Sequence, residues 1–258
     1  MDIFTIFMLG FAVFGASCLQ SATGIGYGAI AGPIFLVVLN GPEAFQMSTL
    51  HNITIALMLL PVLWSSINKK ALRLLVAGSS SGLVIGFGLQ LWIDVLALKI
   101  FATLMIGFVT VTLIRDMTCN VTPIRQDSPS TLETSGIGVL AGIMGGMLAM
   151  PGPIAASWMS AKGFDKQEVR ATVLAFFVFA YGANAILYAG VTGFSTEILK
   201  LTLLLMLPLI FGIIIGNRLA GLFSEKVFRW ILLIVLLSTL SLLIVDWSQH
   251  FNFFGQLG

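Results

Sequence analysis

The sequence predicts an all-α polytopic membrane protein built from two inverted-topology repeats, and three observations lead to that class. Of the 258 residues, 58% are apolar and only 9% are charged, whereas a soluble domain carries about 25% charged residues. Apolar stretches of membrane-spanning length recur along the whole chain. Two of them are interrupted by glycine and proline at matching places in the two halves of the chain, as in a duplicated membrane fold.

The apolar stretches predict ten helical segments. About 20 residues cross a bilayer as a helix, so the second and the seventh segment are too short to span. Each follows a break, and we therefore expect each repeat to open with a broken or re-entrant helix pair, followed by three transmembrane helices. A re-entrant hairpin and two short crossings both remain open. The segments are 3–19, 29–39, 45–67, 74–93, 96–114, 136–149, 154–161, 169–191, 198–216 and 227–245.

One long polar connection divides the chain. Residues 115–135 contain two prolines and five charged residues, and no other loop is comparable. Each half has a glycine-rich break, a short polar turn and a long helix that starts near Thr49 or Thr172. Such internal similarity indicates repeats. We therefore predict an N-terminal repeat over 1–114, a cytoplasmic linker over 115–135 and a C-terminal repeat over 136–258.

The distribution of basic residues decides how the repeats are related. Basic residues in short loops mark the cytoplasmic face of a membrane protein. If each half has an odd number of crossings, the halves are inverted and eleven of the thirteen basic residues share one face. A parallel arrangement divides them seven to six. We therefore predict inversion, with both termini outside the cytoplasm. The eleven are Lys69, Lys70, Arg73, Arg115, Arg125, Lys162, Lys166, Arg170, Arg218, Lys226 and Arg229, and the opposite face has Lys99 and Lys200.

The segment Gln20–Pro33 is the first candidate for a functional site. It contains four glycines, a proline and several polar side chains between two apolar runs. Backbone polar groups at membrane depth need partners, so such a break persists only inside the protein or beside a wet cavity. Close packing of helices through small residues is the simpler explanation of the glycines. Gln20, Ser21 and Thr23 favour a site, because packing alone does not need them.

The residues in and after both breaks resemble the sulfite exporter TauE/SafE family of membrane anion transporters. In the second half the family's glycine string is replaced by Met150–Pro153. The resemblance implies a secondary transporter in the bacterial inner membrane that exports sulfite or small organosulfonates. It covers nearly the whole chain and is carried by Ala22–Gly28, Gly32-Pro33, Gly41–Ala44, Ser48-Thr49, Gly142–Pro153 and Lys166–Thr172.

A compact oxyanion needs N–H or O–H donors in place of its water. Helix starts at a break supply free amides and a positive dipole end, and glycines let the backbone approach the ligand. His51 is a candidate for proton coupling, because a free imidazole titrates near neutral pH; an interfacial histidine bonded to a carbonyl is the alternative. The predicted substrate-binding residues are Gln20, Ser21, Thr23, Gly24, Gly26, Tyr27, Gly28, His51, Asn52, Pro151, Gly152, Pro153, Tyr181 and Asn184.

Other functions find less support in the sequence. No phosphate-binding loop is present, so transport would draw on an ion, potential or substrate gradient. The predicted spans contain no carboxylate pair, zinc-ligand set or Ser/His/Asp cluster, which argues against an intramembrane enzyme and against a cofactor. An anion channel, or a transporter of another small anion such as a carboxylate, remains the alternative. The expected partners are a small anion and the lipid bilayer but no nucleic acid, while proton coupling and a homodimer stay open.

Overall fold

The described residues form helices and no strand. The computed structural model describes residues 1–118, 130–219, 230, 233–234 and 236–246. A short 3-10 helix, Trp64–Ser66, follows the third helix. The α-helices are α1 Ile3–Thr23, α2 Tyr27–Leu39, α3 Glu43–Leu63, α4 Lys69–Trp92, α5 Val95–Thr118, α6 Thr131–Leu148, α7 Gly152–Ala161, α8 Lys166–Val191, α9 Thr196–Leu219 and α10 Leu236–Asp246.

Seven of the helices in the described part of the chain are long and apolar enough to cross a membrane: α1, α3, α4, α5, α6, α8 and α9. The short helices α2 and α7 follow the two breaks, as the sequence predicts. The class of an all-helical polytopic membrane protein is therefore confirmed. Of the predicted last segment, 227–245, the structure describes only part, which includes most of α10.

The two halves exchange partners. The helix α1 packs against α9, and α6 packs against α4, so the first helix of each half contacts the fourth helix of the other half. In the middle, α3 contacts α8, the corresponding helix of the second half. This set of contacts is unchanged when the halves are interchanged. Helices of each half therefore pack largely against helices of the other half.

Glycines at every fourth position bring α4 and α6 into backbone contact. A Cβ atom on Gly82 would lie 2.2 Å from the carbonyl oxygen of Val139, and one on Gly142 would lie 2.6 Å from that of Ser79. Only small residues allow helices to approach this closely in a membrane. The contact involves Gly78, Gly82 and Gly86 of α4 with Gly138, Gly142 and Gly146 of α6.

Two helices extend into the predicted linker. The helix α5 continues to Thr118, and α6 begins at Thr131. The early start of α6 has a visible cause, because Glu133 pairs with Lys162 at 2.7 Å and accepts a 3.0 Å hydrogen bond from the indole of Trp158. These contacts tie the start of α6 to the end of α7. Residues 119–129, most of the predicted linker, lie outside the described residues.

Candidate functional site

The first break separates α1 from α2 and depends on two glycines. Gly24 has φ +88° and Gly26 has φ +126°, and L side chains rarely adopt such values. The side chain of Gln20, one turn before the break, reaches across it: its Oε1 accepts a 2.9 Å hydrogen bond from the amide of Tyr27. Gln20 therefore caps the start of α2, for which Gly26 offers no side chain.

The second break separates α6 from α7. Here Ala149 ends α6 in the left-handed region, at φ +53°. The amide of Met150 donates back to the carbonyl of Met144 at 3.3 Å, which closes the last turn. Pro151 then precedes α7, and Pro153 lies in its first turn, where a proline is tolerated because no intrahelical donor is needed.

The two breaks meet inside the molecule. A Cβ atom on Gly28 would lie 3.2 Å from the carbonyl oxygen of Ala149, and one on Gly152 would lie 3.6 Å from the side chain of Ile25. A small, partly open cavity of about 30 Å³ lies between them. Its lining residues are Gln20, Ile25, Gly26, Gly28, Ala29, Val109, Met150, Gly152, Pro153, Phe177, Tyr181 and Leu236.

The starts of α2 and α7 both border this cavity. The first amides of a helix have no acceptor within it, and each helix start carries about half a positive charge. Among the described residues that line the cavity, none has a charged side chain. Among the lining residues, the positive potential therefore comes from backbone amides and not from a lysine or arginine side chain.

Side chains of helix α8 donate hydrogen bonds to carbonyls at the C-terminal, negative ends of α1 and α6. The guanidinium of Arg170 donates to the carbonyl of Ser21 in the last turn of α1. Tyr181 donates to the carbonyl of Ala149 at 3.0 Å, and Asn184 donates to that of Gly145 at 2.7 Å. Carbonyls at the ends of α1 and α6 would oppose an anion. Three donors on one helix offset that opposition.

A buried hydrogen-bond network connects the first break to α3. Gln20 Nε2 donates to Asn52 Oδ1 at 2.9 Å, and Asn52 Nδ2 donates to the carbonyl of Ser48 at 2.9 Å. The hydroxyl of Tyr27 lies 2.6 Å from Nδ1 of His51. All of these side chains are buried. The network thus fixes Gln20 and the start of α2 against α3.

The predicted site residues fall into two groups. Six line the cavity: Gln20, Gly26, Gly28, Gly152, Pro153 and Tyr181. The other eight lie around it, some next to the breaks and some in the supporting contacts: Ser21, Thr23, Gly24, Tyr27, His51, Asn52, Pro151 and Asn184. Whether any of the fourteen binds a substrate stays a prediction.

Sequence reasoning missed several residues of the cavity. Val109 of α5 and Leu236 of α10 lie in ordinary apolar runs, and Phe177 is one of 20 phenylalanines in the chain. No local pattern distinguishes them. Met150 could have been found, because it directly precedes the proline-glycine break that the sequence indicates.

Seven described helices long enough to span a membrane, around two breaks that meet, define a polytopic membrane protein. The chain belongs to the sulfite exporter TauE/SafE family, whose model matches residues 9–243. This match confirms the resemblance seen in the sequence. Searches of curated proteins and of solved structures found no match. Among the described residues no group of three His, Cys, Asp or Glu could hold a metal ion.

Proposed function

We propose that the protein is a secondary transporter that exports a small sulfur-containing oxyanion, sulfite or an organosulfonate, by alternating access. One observation carries the proposal: the starts of α2 and α7 border the same cavity. Family membership gives the substrate class. Convergent helix starts at broken helices are how membrane transporters accommodate anionic groups without a lysine or arginine in contact.

The proposal includes inverted repeats, each opening with a broken helix pair. The exchange of helix partners between the halves supports a twofold relation, and the charge distribution supports inversion. In this arrangement the loop before Lys69 and the loop before Lys166 face the cytoplasm, and both termini face outward. We assign the cavity to the interface where the two repeats meet.

Export is the favoured direction on electrostatic grounds. The membrane potential, negative inside, drives an anion outward by roughly 2.3 kcal/mol per charge per 100 mV. The excess of lysine and arginine on the proposed cytoplasmic face would also raise the local concentration of anions. Export therefore needs no nucleotide, and the sequence has no nucleotide-binding loop.

The direct test is efflux from proteoliposomes preloaded with labelled sulfite or a labelled sulfonate. We expect saturable loss that is accelerated by unlabelled substrate on the other side. Loss equal to that of empty vesicles would reject the proposal. Unitary currents without acceleration by substrate on the opposite side would favour the alternative, an anion channel.

Two tyrosines of α8 provide a matched pair for testing the cavity. Tyr181 lines it and covers the carbonyl of Ala149, whereas Tyr188 donates to Gln90 at 2.8 Å and is not among the lining residues. In a thermal-shift screen of small anions on purified protein, Tyr181→Phe should weaken binding, because it exposes a carbonyl to the anion. Tyr188→Phe should leave anion affinity unchanged. Equal affinities in both variants would place the binding site elsewhere.

A further inference from the structure

An ion pair joins the last helices of the two halves. Lys99 Nζ of α5 lies 2.6 Å from Asp246 Oδ2 of α10, and the two side chains are 2% and 23% exposed. A buried ion pair is weak support for stability, because desolvation offsets most of the attraction. Ionisable residues within membrane proteins are candidates for function. The pair therefore needs an explanation other than stability.

The same two helices line the cavity. Val109 of α5 and Leu236 of α10 are both lining residues. Each lies ten residues from the ion pair along its own helix, which corresponds to about 15 Å. From the ion pair to the cavity, the residue numbers rise along α5 and fall along α10, so the two helices run antiparallel. The ion pair thus lies to one side of the cavity, at the same distance along both helices.

We propose that Lys99 and Asp246 form the outward gate of the transport cycle. This inference rests on the proposed function, which supplies both the cycle and the side of the membrane, since Lys99 belongs to the outward face. In the present structure the pair is intact and holds α5 against α10. Opening toward the outside separates these helices and breaks the pair.

The chemistry of the pair suits such a gate. When the helices are together, each charge has a partner at hydrogen-bonding distance. When they separate, water at the open mouth solvates both charges, so hydration offsets part of the cost of losing the ion pair. An apolar contact would lack that compensation. An ion pair can therefore close the outer side firmly and still open reversibly.

The test measures access to the cavity from outside. Val109→Cys serves as the reporter in a chain with Cys18→Ala and Cys119→Ser, and a membrane-impermeant thiol reagent is applied to right-side-out vesicles. We expect slow labelling with the pair intact and labelling at least about tenfold faster in Lys99→Met and in Asp246→Asn, since loss of either charge shifts the population toward the open state. Lys200→Met, which changes an exposed lysine of the same proposed face, is the control and should label slowly.

The reversed pair, Lys99→Asp with Asp246→Lys, keeps the proposal testable if a single variant fails to fold. It should restore slow labelling to within about twofold of the parent, because opposite charges again face each other. Single variants that fold and label no faster than the parent would overturn the gate, and so would fast labelling in the reversed variant. Accessibility needs no substrate, so this outcome is separate from failure of the efflux assay.

Discussion

The hydroxyl of Tyr27 lies 2.6 Å from Nδ1 of His51, while Nε2 of the same ring lies 3.2 Å from the carbonyl oxygen of Thr202. A carbonyl only accepts hydrogen bonds. The carbonyl assigns a hydrogen to Nε2, and in a neutral ring Nδ1 then accepts from Tyr27. His51 thereby connects the start of α2 to α9. The carbonyl contact is one part of the interfacial alternative in the sequence analysis, and both that alternative and proton coupling through His51 stay predictions.

The first prediction concerns that contact. Tyr27→Phe should lower the free energy of unfolding by about 1–3 kcal/mol, because it leaves a buried acceptor on His51 without a donor. Chemical denaturation of the purified protein measures the change. With His51→Phe in a double-mutant cycle, we expect a coupling of about 0.5–3 kcal/mol. Additive effects of the two substitutions would show that the hydrogen bond contributes nothing to stability.

The second prediction compares two glycines of α4. A Cβ atom on Gly82 would lie 2.2 Å from a carbonyl oxygen of α6, whereas one on Gly88 has nothing within 4 Å. Gly82→Ala should destabilise the protein by about 1–3 kcal/mol, because the helices must move apart. Gly88→Ala should be neutral or stabilise by up to about 1 kcal/mol through helix propensity. Thermal unfolding of the two variants measures the difference. An equal loss of stability in both would contradict this packing.

The third prediction concerns Arg170, whose guanidinium donates to Ser21 and to Asn217 Oδ1, the latter at 3.3 Å. Arg170→Ala should raise the KM for the anion of the proposed transport by about fivefold, because it removes the positive charge at the carbonyl end of α1, an effect of about 1 kcal/mol. Arg170→Lys should restore most of the affinity, because it keeps the charge. A lysine variant as weak as the alanine variant would indicate a purely structural role.

The fourth prediction concerns topology. In the inverted arrangement Lys69 and Lys166 share one side of the membrane, and Lys200 lies on the other. Single cysteines at these three positions, in a chain without its native cysteines, should be labelled by an impermeant reagent in that pattern. All three are exposed side chains, so substitution should preserve the fold. Labelling of positions 69 and 166 from opposite sides would contradict inverted repeats.

The glycines and prolines in the sequence predict the two breaks. Some helix ends differ from the predicted ones, at places where polar residues have hydrogen-bond partners in the structure. The sequence predicted that the first helix ends at Leu19, yet α1 continues to Thr23. The hydroxyl of Thr23 lies 2.8 Å from the carbonyl oxygen of Leu19 and 2.6 Å from that of Ile25, so this polar side chain has acceptors within the protein at the end of α1. Glu133 similarly extends α6 toward its N-terminus through contacts with α7.

Contacts between distant segments could not be predicted from one sequence. The sequence indicates only that Lys99 is a charge of the outward face, because its partner Asp246 lies at the far end of the chain. Nothing in the sequence of α4 identifies α6 as the partner of its glycines. The cavity residues Val109 and Leu236 look like any residues that face lipid. In each case the role of the residue depends on which distant residue it contacts, and the neighbouring sequence does not show this.

The exchange of partners between halves has a consequence for biosynthesis. The helix α1 is synthesised before its main partner α9, which begins only at Thr196. At elongation rates of about 5–20 residues per second, the ribosome needs roughly 10–35 s to reach that point. During this time the face of α1 that carries Ser17 and Cys18, which later meets Gly212 and Gly216 of α9, has no mate in the nascent chain. We expect the insertion machinery or lipid to shield α1 until the second half arrives.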